Sequence, residues 1–162
     1  MKKLLMLMFI SLPVFALEPI HSDEVHGLIA DTCSVEIDQN GPWQYLAITR
    51  AVTAYGEVIT QFDAIYQDGE LHNFTTFIFT SQGKTLTHIP VDASPANLEI
   101  PDKITQQPYS NIEPAALREM ARQFQPVRLR IVIDHNDTRF IETTVPSDLL
   151  QCAAKVLSIA SR

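Results

Sequence analysis

Three groups of polar residues have the types and spacing that chemistry could use. The stretch IHSDEVH sets His21, Asp23, Glu24 and His26 close together, and imidazole with carboxylate is a donor set for zinc or copper. No scaffold around it would fix a coordination geometry, so it reads as part of an acidic lead. DHND places Asp134, His135, Asn136 and Asp137 in a row, yet small polar residues are also what a strand reversal selects. Arg50, Gln61 and Asp63 project among aliphatic neighbours, where an arginine near a carboxylate is either a structural ion pair or an active-site pair with shifted ionisation. None of these groups calls for a metal or a cofactor, and neither is expected. The patterns G-x-S-x-G, G-x-x-x-x-G-K-[ST] and H-E-x-x-H do not occur, and five glycines leave little material for a phosphate cradle.

The remaining chemistry is that of two cysteines, Cys33 in DTCSVEID and Cys152 in LLQCAAKVL. Their compartment follows from the opening residues, MKKLLMLMFISLPVFA, in which two lysines precede a short apolar run, Pro13 and a small residue at Ala16. This is the pattern of a secretory signal peptide over 1–16. Its apolar run is about half the roughly 20 residues that a membrane-spanning helix needs, and no second candidate follows. The expected location is the bacterial periplasm, or the medium, with no integral membrane segment after cleavage. In such an oxidising compartment a lone pair of cysteines reads first as one disulfide.

Charge narrows the partners. The chain of 162 residues carries a formal charge of −7, and loss of Lys2 and Lys3 with the leader makes the mature chain more negative still. Nucleic acid is therefore a poor partner, because phosphate binding needs a basic footprint. The acid is concentrated early: residues 17–70 hold ten carboxylates against Arg50 alone. Residues 118–162 are richer in arginine, so the two halves either cancel one another's field or present a polarised surface.

Residues 17–162 have the length of one domain with a core of its own. A loose acidic lead is expected over 17–30. Five segments with strand character then run from about Thr32 to Asp38, Trp43 to Thr53, Glu57 to Tyr66, Glu70 to Thr80 and Lys84 to Pro90. Between them lie QNGP, AYGE, QDGE and SQGK, each with a glycine suited to a hairpin turn. The 91–112 segment, with Pro95, Pro101 and Pro108, reads as a long ordered loop. EPAALREMARQF spaces Leu117, Met120, Ala121 and Phe124 as one face of a helix, ended by Pro126. PVRLRIVID alternates cleanly, the HND turn returns the chain through TRFIETTV, and Ser147 starts a last helix. The fold class is thus α+β: an antiparallel sheet made of a five-strand meander plus a C-terminal β-hairpin, with two helices packed on one face.

Two-residue turns set the registers, because side chains alternate along a strand. Pairing Ala54 with Glu57 puts Val52 opposite Ile59 and Leu46 opposite Ile65. One face then gathers Cys33, Val35, Leu46, Ile48, Val52, Ile59, Ile65, Phe74, Ile78 and Ile89. The last helix carries Leu149, Cys152, Ala153, Val156 and Ala160 on one stripe, so it docks on that aliphatic face and a Cys33–Cys152 disulfide staples it there. The opposite face collects Trp43, Tyr45, Phe62, Tyr66, Phe77 and His88 among threonines and small residues. Such a mixture suits recognition of a protein, peptide or small apolar ligand. The expected function is a small secreted binding or adaptor domain using this aromatic face, with an enzyme less expected. The alternatives are a hydrolase without a familiar motif, built on His88 or Asp63, and an acidic inhibitor or assembly factor for a basic protein. The oligomeric state is left open.

Overall fold

In the computed structural model, which describes residues 17–25, 28–38, 41–100, 103–133 and 139–159, the chain forms eleven strands and two helices. The strands are β1 (Ile20–Val25), β2 (Leu28–Glu36), β3 (Trp43–Thr53), β4 (Val58–Asp68), β5 (Thr76–Ser81) and β6 (Lys84–Pro90). After them come β7 (Ala96–Ile100), β8 (Lys103–Gln106), β9 (Tyr109–Asn111), α1 (Pro114–Ala121), β10 (Val127–Val132), β11 (Phe140–Val145) and α2 (Ser147–Ile159). The leader, His26 and the DHND turn lie outside the described residues.

The α+β class holds, but the strands divide between two sheets. A seven-stranded sheet runs β1-β2-β3-β4-β8-β7 with β9 also paired to β4, and a four-stranded sheet runs β11-β10-β5-β6. The expected meander therefore stops at β4. QDGE does not close a hairpin: the Asp68 carboxylate accepts the Glu70 N–H and meets the His72 ring, which turns the chain out of the sheet. The edge of β4 is taken instead by β8 and β9, from the segment read as a loop. Its prolines fall between strands, Pro95 before β7, Pro101 between β7 and β8, and Pro108 between β8 and β9. They punctuate three short strands and so erase the longer periodicity that signals one. At the other end, β1 pairs with β2, so strands occupy most of the stretch read as a loose lead.

One turn sets the register of the larger sheet. Thr53 and Glu57 close it, with Thr53 N–H donating to Glu57 O and Gly56 N–H to Thr53 O, both at 2.9 Å, and Gly56 has φ +77°. The loop thus holds three residues, 54–56, ending in a left-handed glycine, rather than two. The extra residue shifts β4 by one place, so Val52 faces Val58, Ile48 faces Phe62 and Leu46 faces Ala64. A one-residue shift reverses every side chain of a strand. Phe62 and Tyr66 join the Cys33 side, while Ile59 and Ile65 leave it. A bulge between Trp43 and Tyr45 reverses Trp43 as well and sets it opposite Tyr66. By contrast Gln82 and Gly83, both at positive φ, form the expected two-residue turn between β5 and β6.

The side of the large sheet that bears Cys33, Ile48 and Phe62 is the covered one. α2 lies on β2 and β3, and its Cys152 is bonded to Cys33 with the Cα atoms 5.9 Å apart, as expected. Beside it the small sheet packs through Phe77 and Phe79, whose rings each meet Phe62 edge to face at 5.2 Å. Leu129 and Ile131 of β10 stand opposite Phe79 and Phe77 and complete this layer. In the β10–β11 pairing Arg130 stands opposite Glu142 and Arg128 opposite Thr144. Both arginines bind Glu142, and the Arg130 guanidinium, opposed only by partial desolvation, holds that carboxyl below its ordinary range. α1 packs on α2 and β6 rather than on the large sheet. It ends at Ala121, so Phe124 falls beyond its apolar face and is fully exposed. The residues before Pro126 cannot extend the helix freely.

Candidate recognition surface

The six residues expected to form one aromatic surface do not share one. Trp43, Phe62, Tyr66 and Phe77 are buried in the core, Trp43 and Tyr66 edge to face at 5.2 Å. Tyr45 remains on the opposite side of the large sheet, half-buried. His88 is exposed on the outer side of the small sheet, opposite Ile78. The shifted register of β4 and the bulge before Tyr45 turn Trp43, Phe62 and Tyr66 to the covered side of the large sheet, where Phe62 meets Phe77 of the second sheet.

The uncovered face of the large sheet is therefore different in composition. Its cross-strand ranks are Glu36, Tyr45 and Ile65; Ser34, Ala47, Asp63 and Tyr109; Thr32, Thr49, Gln61 and Asn111; and Ala30, Ala51 and Ile59. The contacts that α2 and the small sheet make through Cys33 and Phe62 lie on the other side of the sheet. Most of these side chains are half-buried, which is the exposure of a sheet surface without a second layer. The Thr32 and Thr49 hydroxyls bond to each other at 3.1 Å. None of the ranks contains lysine, arginine or histidine, and two carboxylates, Glu36 and Asp63, stand in them.

Asp63 is the unusual member. It is only 8% exposed, and its Oδ1 accepts from Gln61 Nε2 at 2.7 Å and more weakly from Gln107 Nε2 at 3.5 Å. Desolvation pushes its carboxyl above the ordinary range, and the two amide donors offset this only in part. The proposed grouping with Arg50 is not formed. Arg50 projects from the covered side, between Asp31 and Thr60, whereas Gln61 and Asp63 face outward.

A second polar site was not anticipated. Tyr66 Oη donates to Asp68 Oδ2 at 2.9 Å, and His72 Nε2 meets the same oxygen at 2.6 Å. Gln106 clasps the His72 backbone, accepting its N–H at 2.7 Å and donating to its carbonyl at 2.8 Å. Burial raises the Asp68 carboxyl, but the bonds from His72, the Glu70 N–H and Tyr66 together outweigh it and hold the group below its ordinary range. The ring of His72, with its side chain 8% exposed, borders a cleft of about 500 Å³ that also touches Leu71, Phe74, Asp92 and Ser94. The available sequence signal was Asp68 and His72 four residues apart across a glycine, a spacing obscured by reading QDGE as a hairpin turn between two paired strands.

Of the first metal candidate, His21 binds Asp31 at 2.8 Å, while His26 and the side chains of Asp23 and Glu24 lie outside the described residues. No group of three or more metal-ligating side chains occurs among the described residues. No helix among them is long and apolar enough to cross a membrane, and the disulfide is compatible with a periplasmic or extracellular protein. No protein-family model, curated protein or solved structure matches the chain.

Proposed function

We propose that this chain is an exported single-domain binding protein that holds a protein or peptide partner against the outer face of its large sheet. The observation that carries the reading is the asymmetry of that sheet. One face is covered by α2 and the small sheet, while the other, with Tyr45, Ala47, Ala51, Ile59 and Ile65 among threonines, keeps most of its side chains half-exposed. Apolar surface mixed with hydroxyls and amides suits a contact that forms and dissolves in water. The basic leader and the Cys33–Cys152 bond support an exported life. A photo-crosslinking side chain at Thr49, compared with one at Arg128 on the outer side of the small sheet, tests it in periplasmic extract. Discrete adducts at Thr49 and none at Arg128 are expected; equal labelling, or adducts at Arg128 alone, would refute the assignment.

The His72–Asp68 pair beside a cleft supports a second reading, a hydrolase in which His72 serves as base. His72 Nε2 is committed to Asp68, the residue lines the cleft, and the Ser94 hydroxyl on the same cleft is buried with no hydrogen-bond partner among the described residues. A hydrolytic activity abolished by His72→Ala and unaffected by substitution at Thr49 would favour this reading over the first.

A further inference from the structure

We propose that Asp63 is the anchor of a cation-recognition site on the outer sheet face, and that its ligand is a lysine or arginine side chain of the bound partner. This rests on the outer face being the partner surface and specifies what that surface reads. Asp63 is more than nine-tenths buried, yet no lysine, arginine or histidine pairs with it among the described residues. Both amide donors reach Oδ1, so Oδ2 takes no hydrogen bond from any described residue. A largely desolvated carboxylate held by neutral donors has given up most of its water without gaining a counter-charge. An arriving ammonium or guanidinium group would supply that charge, and the amides already fix the oxygen that would receive it.

The neighbours favour a cation over a neutral donor. Directly across from Asp63 stand Ala47 on β3 and Tyr109 on β9, with Tyr45 diagonal to it through Ala47. Opposed side chains in a sheet lie about 5 Å apart and diagonal ones about 7–8 Å, so Tyr109 and Tyr45 both stand within reach of a group bound at Asp63. Aromatic faces attract cations electrostatically. Glu36, paired with Tyr45 in the next rank, extends the negative field toward the β2 side. The ranks that hold Asp63 and its immediate neighbours contain no basic residue to oppose a cationic side chain, and an extended partner would lay alternate side chains onto them.

The test uses the mature, disulfide-bonded protein and an end-capped hexapeptide alternating threonine and lysine, followed by amide chemical shifts. The controls are its ε-acetylated form and n-butylammonium. The lysine peptide is expected to shift the amides of Ala47, Asp63 and Tyr109. Asp63→Asn, which keeps the size and removes the charge, should weaken that binding about tenfold or more, as expected for loss of a charge-assisted bond. Tyr109→Leu should weaken it several-fold while leaving the Asp63 carboxylate in place. Equal binding by the acetylated peptide at the same amides, unaffected by Asp63→Asn, would overturn cation recognition while leaving the sheet face as the partner surface. Shifts confined to other regions, or absent, would overturn the proposal, and with cross-linking lost at Thr49 the functional reading falls too. Butylammonium binding as tightly as the peptide would overturn the assignment to a partner's side chain.

Discussion

Replacing Phe62 by alanine and Tyr45 by serine separates the two sides of the large sheet in one comparison. Phe62 is completely buried, and its ring meets Phe77 and Phe79 edge to face at 5.2 Å each. Truncation would remove a full aromatic side chain from a packed interior and leave a cavity between the sheets, at a cost of about 3–5 kcal/mol. The two ring contacts account for roughly 1–3 kcal/mol beyond simple burial. Tyr45 stands on the outer face against Ile65 and Glu36, half-exposed, and its loss should cost no more than about 1 kcal/mol. Urea unfolding of the oxidised protein, followed by far-ultraviolet circular dichroism and by fluorescence of the lone Trp43, measures both. Coincident transitions with an unchanged denaturant slope would license the comparison. If Tyr45→Ser proved as costly as Phe62→Ala, the register of β4 and the openness of the outer face would both be wrong.

Other perturbations probe separate parts of the molecule. Reduction, or paired substitution of Cys33 and Cys152 by alanine, opens a cross-link of sequence separation 119, and chain-entropy reasoning gives a loss of about 5 kcal/mol in a urea melt. Asp68→Asn should cost about 1–3 kcal/mol at neutral pH, since its oxygens hold His72, Tyr66 and the Glu70 N–H. Because the folded carboxyl of Asp68 lies below its unfolded value, its stabilisation is present above the unfolded pKa and disappears as pH falls through the folded one. Stability curves of Asp68→Asn against wild type should therefore converge in acid. Asp63 has the opposite sign: its raised carboxyl contributes stability at low pH that is lost as pH rises through the folded pKa. Asp63→Asn should accordingly be at least as stable as wild type at pH 7, and a clear drop in its melting temperature would show that the charge is compensated within the fold.

Local patterns were enough to settle some of this architecture. The alternation through DTCSV and the helical stripe of Leu149, Cys152, Ala153 and Val156 each turn a cysteine inward, and two inward cysteines in one domain meet as the observed bond. The β10–β11 hairpin was legible because the alternation of Val127, Leu129 and Ile131 is clean and a second alternating run follows shortly after. Period 2 and period 3.6 report which way a side chain points relative to its own element. They do not report what lies beyond the element, and here that mattered most. Whether AYG turns in two residues or three is decided by the left-handed conformation of Gly56, and that single residue reverses β4 and carries Phe62 from one side of the sheet to the other. The departure of the chain after Asp68 depends on a side-chain network with His72, Tyr66 and Gln106, whose members come together only when distant strands pair. Likewise β8 and β9 pair along an edge of β4 some forty residues away in sequence, a non-local choice that no run of prolines announces. The sequence by itself determined the inward cysteines, the last helix and the terminal hairpin, since these depend on local periodicity. Tertiary structure alone decided which face would be covered, and so left Asp63 nearly dry and without a counter-charge, because burial is a property of what packs against a surface.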